Sequence, residues 1–277
     1  MKKKFLFILL VPVFVISCVL GFLFLTQSHE GLSAQLVINS GTVMVKHPGE
    51  SWDVARNGML LYQSDSLKTE NNSSASIILF KSSIIRLDSN TEVMIQELIR
   101  KAEETNVTLK QDAGRTWNTI LNISGIDNYE VHTPTTVATV RATTFVITVK
   151  LDGGTFGGVN QGKVLVSKVQ DNQVVDKINV PKNQAVTVSP DVIGDPLETV
   201  PFEKDTWMLE NEEKDKENIE MVKEDLFRRI DPYIPELKER YGMTDEELDV
   251  LLEGYLLGYY NLPPETPDWI WEIIELS

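Results

Sequence analysis

Apolar and polar residues alternate with period two over most of the chain between residues 41 and 190. The alternation is clearest at 42–46, 75–80, 84–87, 92–98, 106–110, 129–133, 137–141, 145–150, 163–167 and 185–188. Each run predicts a strand with one buried and one wetter face. Turn-forming pairs separate the runs: Pro48-Gly49, Asn57-Gly58, Asn71-Asn72, Asp152-Gly153 and Asp171-Asn172. Nothing between the runs has the length and periodicity of a crossover helix, so the strands are expected to pair antiparallel. The fold class predicted is mainly β, an antiparallel β-sandwich or β-roll over 41–190. The glycine-rich stretch 153–162 is read as a hairpin and its turn. It has no GK[ST] and no strand–loop–helix context for a phosphate loop.

The period changes after Asp195-Pro196. Residues 202–230 are charge-rich and lack Gly and Pro, and Trp207, Met208, Ile219, Val222, Leu226 and Phe227 can share helical faces. Asp231-Pro232 should end that helix. A short helix over 234–241 should close at Gly242. Thr244 and Glu247 make a capping box for a helix running to about residue 260. Thr266 and Pro267 suggest one more helix start. Residues 197–277 are therefore a small α-helical segment beside the β-domain.

The N-terminus has a third pattern. Three lysines precede 21 uncharged residues, 5–25, of which 17 are Leu, Ile, Val or Phe. As a helix this run reaches about 31 Å, the thickness of a bilayer core. Its apolar side chains favour insertion by about 5–10 kcal/mol. The lysines place residues 1–4 in the cytoplasm, and everything after the span outside it. A cleaved signal peptide and a lipoprotein signal with lipidated Cys18 are the alternatives. The length of the run and its continuation past Cys18 favour an uncleaved transmembrane signal anchor. Residues 26–40 then form a tether.

The formal charge is −15 over 277 residues. Residues 30–195 hold 18 acids and 15 bases, whereas 196–277 hold 23 acids and 8 bases. Such a surface repels nucleic acid, so no nucleic-acid partner is expected. Cys18 is the one cysteine, which excludes an intramolecular disulfide.

The ordered motifs of the β-region resemble those of the FecR-like domain, a membrane regulator family. Gly41-Thr42-Val43-Met44-Val45 opens the series, followed by Trp52 and Ala55. Then come Ser64-Asp65-Ser66-Leu67-Lys68-Thr69, Ser74-Ala75-Ser76-Ile77-Ile78-Leu79-Phe80 and Gly114-Arg115-Thr116-Trp117. The hallmark is Thr133-Pro134 with Ala138-Thr139-Val140-Arg141-Ala142-Thr143-Thr144-Phe145, and Gly162-Lys163-Val164-Leu165-Val166 closes it. At Ser64, Lys81-Ser82 and Ala142 the chain departs from the family's glycine-bearing pattern. A strand conformation at Ala142 would need no glycine. The resemblance implies an exported β-domain for sensing, binding or envelope organisation. Members that regulate iron transport hold a sigma factor through a cytoplasmic segment, and residues 1–4 are too short for that.

The candidate structural or binding residues are Arg141, Asp65 and Trp117. Arg141 should lie on the polar face of its strand with Thr139 and Thr143, paired with a carboxylate such as Asp65 or Asp88. His29, His47 and His132 lack metal-ligand spacing, no GxSxG occurs, and the acidic pair Glu103-Glu104 carries little information among 41 acids. No enzyme activity, cofactor or metal is therefore expected. The partners expected are the cytoplasmic membrane and an envelope protein or glycan. The alternative function is a transmembrane signalling component of anti-sigma type, acting through a separate cytoplasmic subunit.

Overall fold

A computed structural model describes residues 32–101, 104–190 and 196–259. The expected cytoplasmic stub and membrane span lie outside these residues, as does the helix start at Thr266. No helix among the described residues is long and apolar enough to cross a membrane.

Among the described residues, seventeen strands form two sheets that share one long strand. The first sheet runs β4 (Leu60–Leu61), β1 (Ala34–Ser40), β6 (Ser74–Leu79), β7 (Ser83–Leu87), β9 (Glu104–Thr119), β12 (Thr144–Val149), β13 (Thr155–Gln161), β16 (Gln184–Val188), β17 (Val200–Pro201). The second runs β3 (Asp53–Val54), β2 (Val43–Lys46), β5 (Ser66–Thr69), β8 (Glu92–Lys101), β9, β10 (Asn128–His132), β11 (Thr136–Val140), β14 (Lys163–Gln170), β15 (Gln173–Pro181). Every pairing among the described residues is antiparallel except β9 with β10.

Strand β9 belongs to both sheets. Its residues 106–110 pair with β10, whereas 114–119 pair with β12. The changeover falls at Gly114, whose φ is +80° and where a Cβ would stand 2.4 Å from the Thr91 backbone. No L side chain fits that bend, so the glycine of the Gly-x-x-Trp motif is what lets one strand turn from sheet to sheet. Between the sheets lies the core, with Leu36, Ile77, Ile85, Leu87, Leu109, Tyr129, Phe145 and Ile147 almost fully buried. Tyr129 meets Phe145 edge-on at 6.2 Å, and its hydroxyl donates to Asn118 Oδ1 at 2.7 Å. That bond satisfies a polar group that would otherwise be costly inside a core.

All ten alternating runs of the sequence are strands. The glycine-rich stretch is the expected hairpin and turn: the chain turns at 151–154 and returns as β13 against β12, with Phe202 lying against Gly158, where a Cβ would sit 2.3 Å from the ring. Three expectations change. Residues 34–40 are strand β1 rather than tether; the side chain of Leu36 is fully buried. Strand β11 stops at Val140, so Arg141 is not in a strand. Ala142 is not extended; its φ is +46°.

Among the described residues three α-helices follow: α1 (Thr206–Ile230), α2 (Ile234–Tyr241) and α3 (Asp245–Leu256). Helix α1 starts four residues later than the pattern suggests, because residues 200–201 pair with β16 and Asp205 supplies the N-cap to Met208 N. Gly242 ends α2 in the left-handed conformation, and the Thr244–Glu247 capping box starts α3. Ile219, Leu226, Ile230, Leu248, Leu252 and Leu256 form a second apolar cluster with Leu121 and Ile123 of the β-domain.

Candidate functional site

The outer face of the first sheet presents Arg86, Trp117, Thr119 and Val146, which alternate with core residues along β7, β9 and β12. Helix α1 covers this face with a stripe that is polar at its middle: Met208, Asn211, Asp215, Asn218 and Ile219. Asp215 is buried and meets three donors there. Arg86 Nη1 donates at 2.5 Å, Trp117 Nε1 at 2.7 Å, and Thr119 Oγ1 lies 2.8 Å from both carboxylate oxygens. A buried carboxylate is tolerable when a cation and further donors meet it. Arg115, from the same face, bridges Asp88 (2.5 Å) and the N-cap Asp205, and its guanidinium lies 4.2 Å from the Trp207 ring centre. Trp117 is thus a helix-docking residue, fully buried.

Docking has a consequence at the other end of the helical segment. The chain leaves α3 through Leu257, Gly258 and Tyr259, which reach the second sheet beside Ala142. They form one wall of an open groove of about 480 Å³. Its floor is a cross-strand row. Thr139 pairs in register with Leu165, and Leu165 with Asn179, while the same registers carried two residues on set Arg141 opposite Lys163. Both cations are exposed, and among the described residues neither side chain has a hydrogen-bond or ion-pair partner. Thr143 Oγ1 donates to the Arg141 and Lys163 carbonyls at 3.0 and 3.3 Å, locking the two motif segments together. The groove therefore offers two positive groups, amides from Asn128 and Asn179, and apolar walls from Val140, Leu165 and Leu257. That set suits an anion that also carries apolar surface.

Among the described residues the expected Arg141 ion pair is absent. Asp65 is buried and bonds instead to His47 Nδ1 at 2.7 Å and Tyr62 N at 2.8 Å. Asp88 is taken by Arg115. Asp65, at the left-handed Ser64 turn, lies on the same sheet's far side of the strand order from Arg141, so the three named residues do three separate things. His47, beside Asp65, has its pKa raised, first by that hydrogen bond and then by the carboxylate's charge. Sequence reasoning missed Lys163 and Asp215. The first is recoverable from the β11–β14 register, the second is one acid among many in a charge-rich helix and has no sequence signal.

The architecture defines a class: a two-sheet β-domain carrying a docked acidic helical segment, with no group of three metal-ligating side chains among the described residues. Residues 65–165 match the family model described as FecR protein, in keeping with the resemblance carried by the sequence motifs. Two solved structures of a candidate anti-sigma factor from Parabacteroides distasonis are similar. They show 12% and 13% identity, TM-scores of 0.39 and 0.38, and cover 49% of this chain and 59% of that one. This chain thus spans about three-fifths of that protein, and a likeness at that level carries no argument about function. No curated protein matches.

Proposed function

We propose that the protein is a non-enzymatic, membrane-anchored, extracytoplasmic binding module of the FecR-like family, which senses a ligand or organises the envelope. The match over residues 65–165 carries this reading. The apolar run 5–25 with its three lysines supports the anchor and the orientation. The open groove beside Arg141 supplies a surface for an envelope protein or glycan. A second reading, a signalling component of anti-sigma type working through a separate cytoplasmic subunit, draws on the same family match.

The test is topological. Leu151 is fully exposed in a turn, and Cys18 is the native cysteine. A Leu151→Cys, Cys18→Ser chain should react with a membrane-impermeant maleimide in intact cells whose outer layers admit it. Labelling that appears only after the cytoplasmic membrane is opened would overturn the proposal. Photo-crosslinking from position 141 in those cells then separates the readings: an envelope partner supports the first, and a partner gained only through residues 1–25 supports the second.

A further inference from the structure

We infer that the groove beside Arg141 and Lys163 binds a carboxylate-bearing glycan, a short run of sugar rings of which some carry an acid group. The inference rests on the binding function proposed above and names its ligand class. Arg141 follows β11 and Lys163 opens β14; both are exposed, with no side-chain partner among the described residues. Side by side they can hold one carboxylate between them, the guanidinium through two parallel N–H groups. Around them the lining is polar but neutral. Asn128 makes one long bond, 3.4 Å to Glu130, Thr139 another of 3.5 Å, and Asn179 is exposed. Such amides and hydroxyls both donate and accept, as sugar hydroxyls do. Tyr259 stands in the wall with 49% of its surface exposed, a flat ring with a polar tip that can cover the apolar face of a sugar.

Other anions fit this lining less well. Asp127 is exposed in it, and Glu130 pairs in register with Thr139. A polyphosphate or an acidic peptide meets like charges there. A sugar hydroxyl instead donates to them: Asp127 gives one carboxylate oxygen to Thr105 N at 2.8 Å and has the other left to accept. An acyl chain would lie partly in water, because the groove is open to solvent. The carboxylate therefore supplies the anchor, and the hydroxyls and ring faces supply the selectivity.

The test is isothermal titration calorimetry on the full chain in zwitterionic nanodiscs. The probes are tetragalacturonate and a hyaluronan tetrasaccharide, with their methyl esters as uncharged controls. At least one acid should bind, and its ester should bind about ten- to hundred-fold more weakly, the worth of a charge-assisted contact. Arg141→Gln with Lys163→Gln should weaken the acid as much and the ester little, with Tm unchanged because both side chains are exposed and unpaired among the described residues. Tyr259→Ala should weaken acid and ester alike, by roughly five-fold. Equal affinities for acid and ester would overturn the inference, as would an acid affinity that survives the double substitution or the absence of binding by both acids. Tetraglutamate or inorganic phosphate binding as tightly as the acids would also overturn it, making this a general anion site. The titration reads the same on either side of a membrane, so its failure is distinct from a failure of the maleimide labelling.

Discussion

Ser64 and Ala142 replace family glycines, yet both keep left-handed backbone, with φ of +72° and +46°. Phe80 and Lys81, in the turn just before Ser82, are also left-handed, at +47° and +62°. The turn geometry is therefore imposed by the strands on either side, and the side chains bear the strain. Ser64 is exposed, so Ser64→Gly should relieve it and raise stability by about 0.5–1 kcal/mol, net of the added freedom of the unfolded chain. Urea denaturation checks this, and an unchanged or lower midpoint contradicts it. At Ala142 the same substitution would also strip a contact with Gly258, so the gain there should be smaller. The His47–Asp65 pair makes a pH prediction. The His47 pKa is raised above its ordinary 6.5. Its contribution is complete below about that value and fades as pH rises through the raised folded value. The stability gap between wild type and His47→Gln should thus be constant in mild acid and narrow above neutrality. A gap that widens with pH would show that the pair acts the other way.

Among the elements, helix α1 and strand β9 decide the architecture. The buried stripe of α1 has polar residues where an amphipathic helix usually has leucines, because its partner face presents Arg86, Trp117 and Thr119. Asp215→Ala should leave Arg86 buried without a counter-charge and cost about 3–5 kcal/mol of docking, provided the segment stays folded. Amide hydrogen exchange across 206–230 would report it as lost protection in α1, with β9 and β12 spared. If the double variant Asp215→Ala, Arg86→Met were no better than the single one, the ion pair would not be the fastening. The motif glycine at 114 belongs to this scale too. Its role comes from β9 passing between sheets, which no local pattern displays.

At the scale of the whole molecule, charge is divided between a nearly balanced β-domain and a strongly acidic C-terminal third. The two are held together by arginines of the first sheet reaching acids of α1. Truncation after residue 190 should expose Trp117, which is fully buried in the intact molecule, shift its fluorescence to longer wavelength and lower Tm. Unchanged emission would mean the helical segment does not cover that face in solution.

Strand identity, the helix caps at Thr244 and Gly242, and the family resemblance were legible along the chain, because alternation, capping and turn chemistry are local and repeat at known spacings. The Asp215 contacts, the empty hand of Arg141 and the burial of glycine-rich β13 were not. Each depends on what lies across a sheet or beneath a helix, from residues tens of positions away, and a one-dimensional pattern holds no distance between them. By itself the order of residues determined which segments pair and which coil. Only the packed structure decided which charges meet, because a charge in a buried contact and a charge in water look the same until something is folded against them.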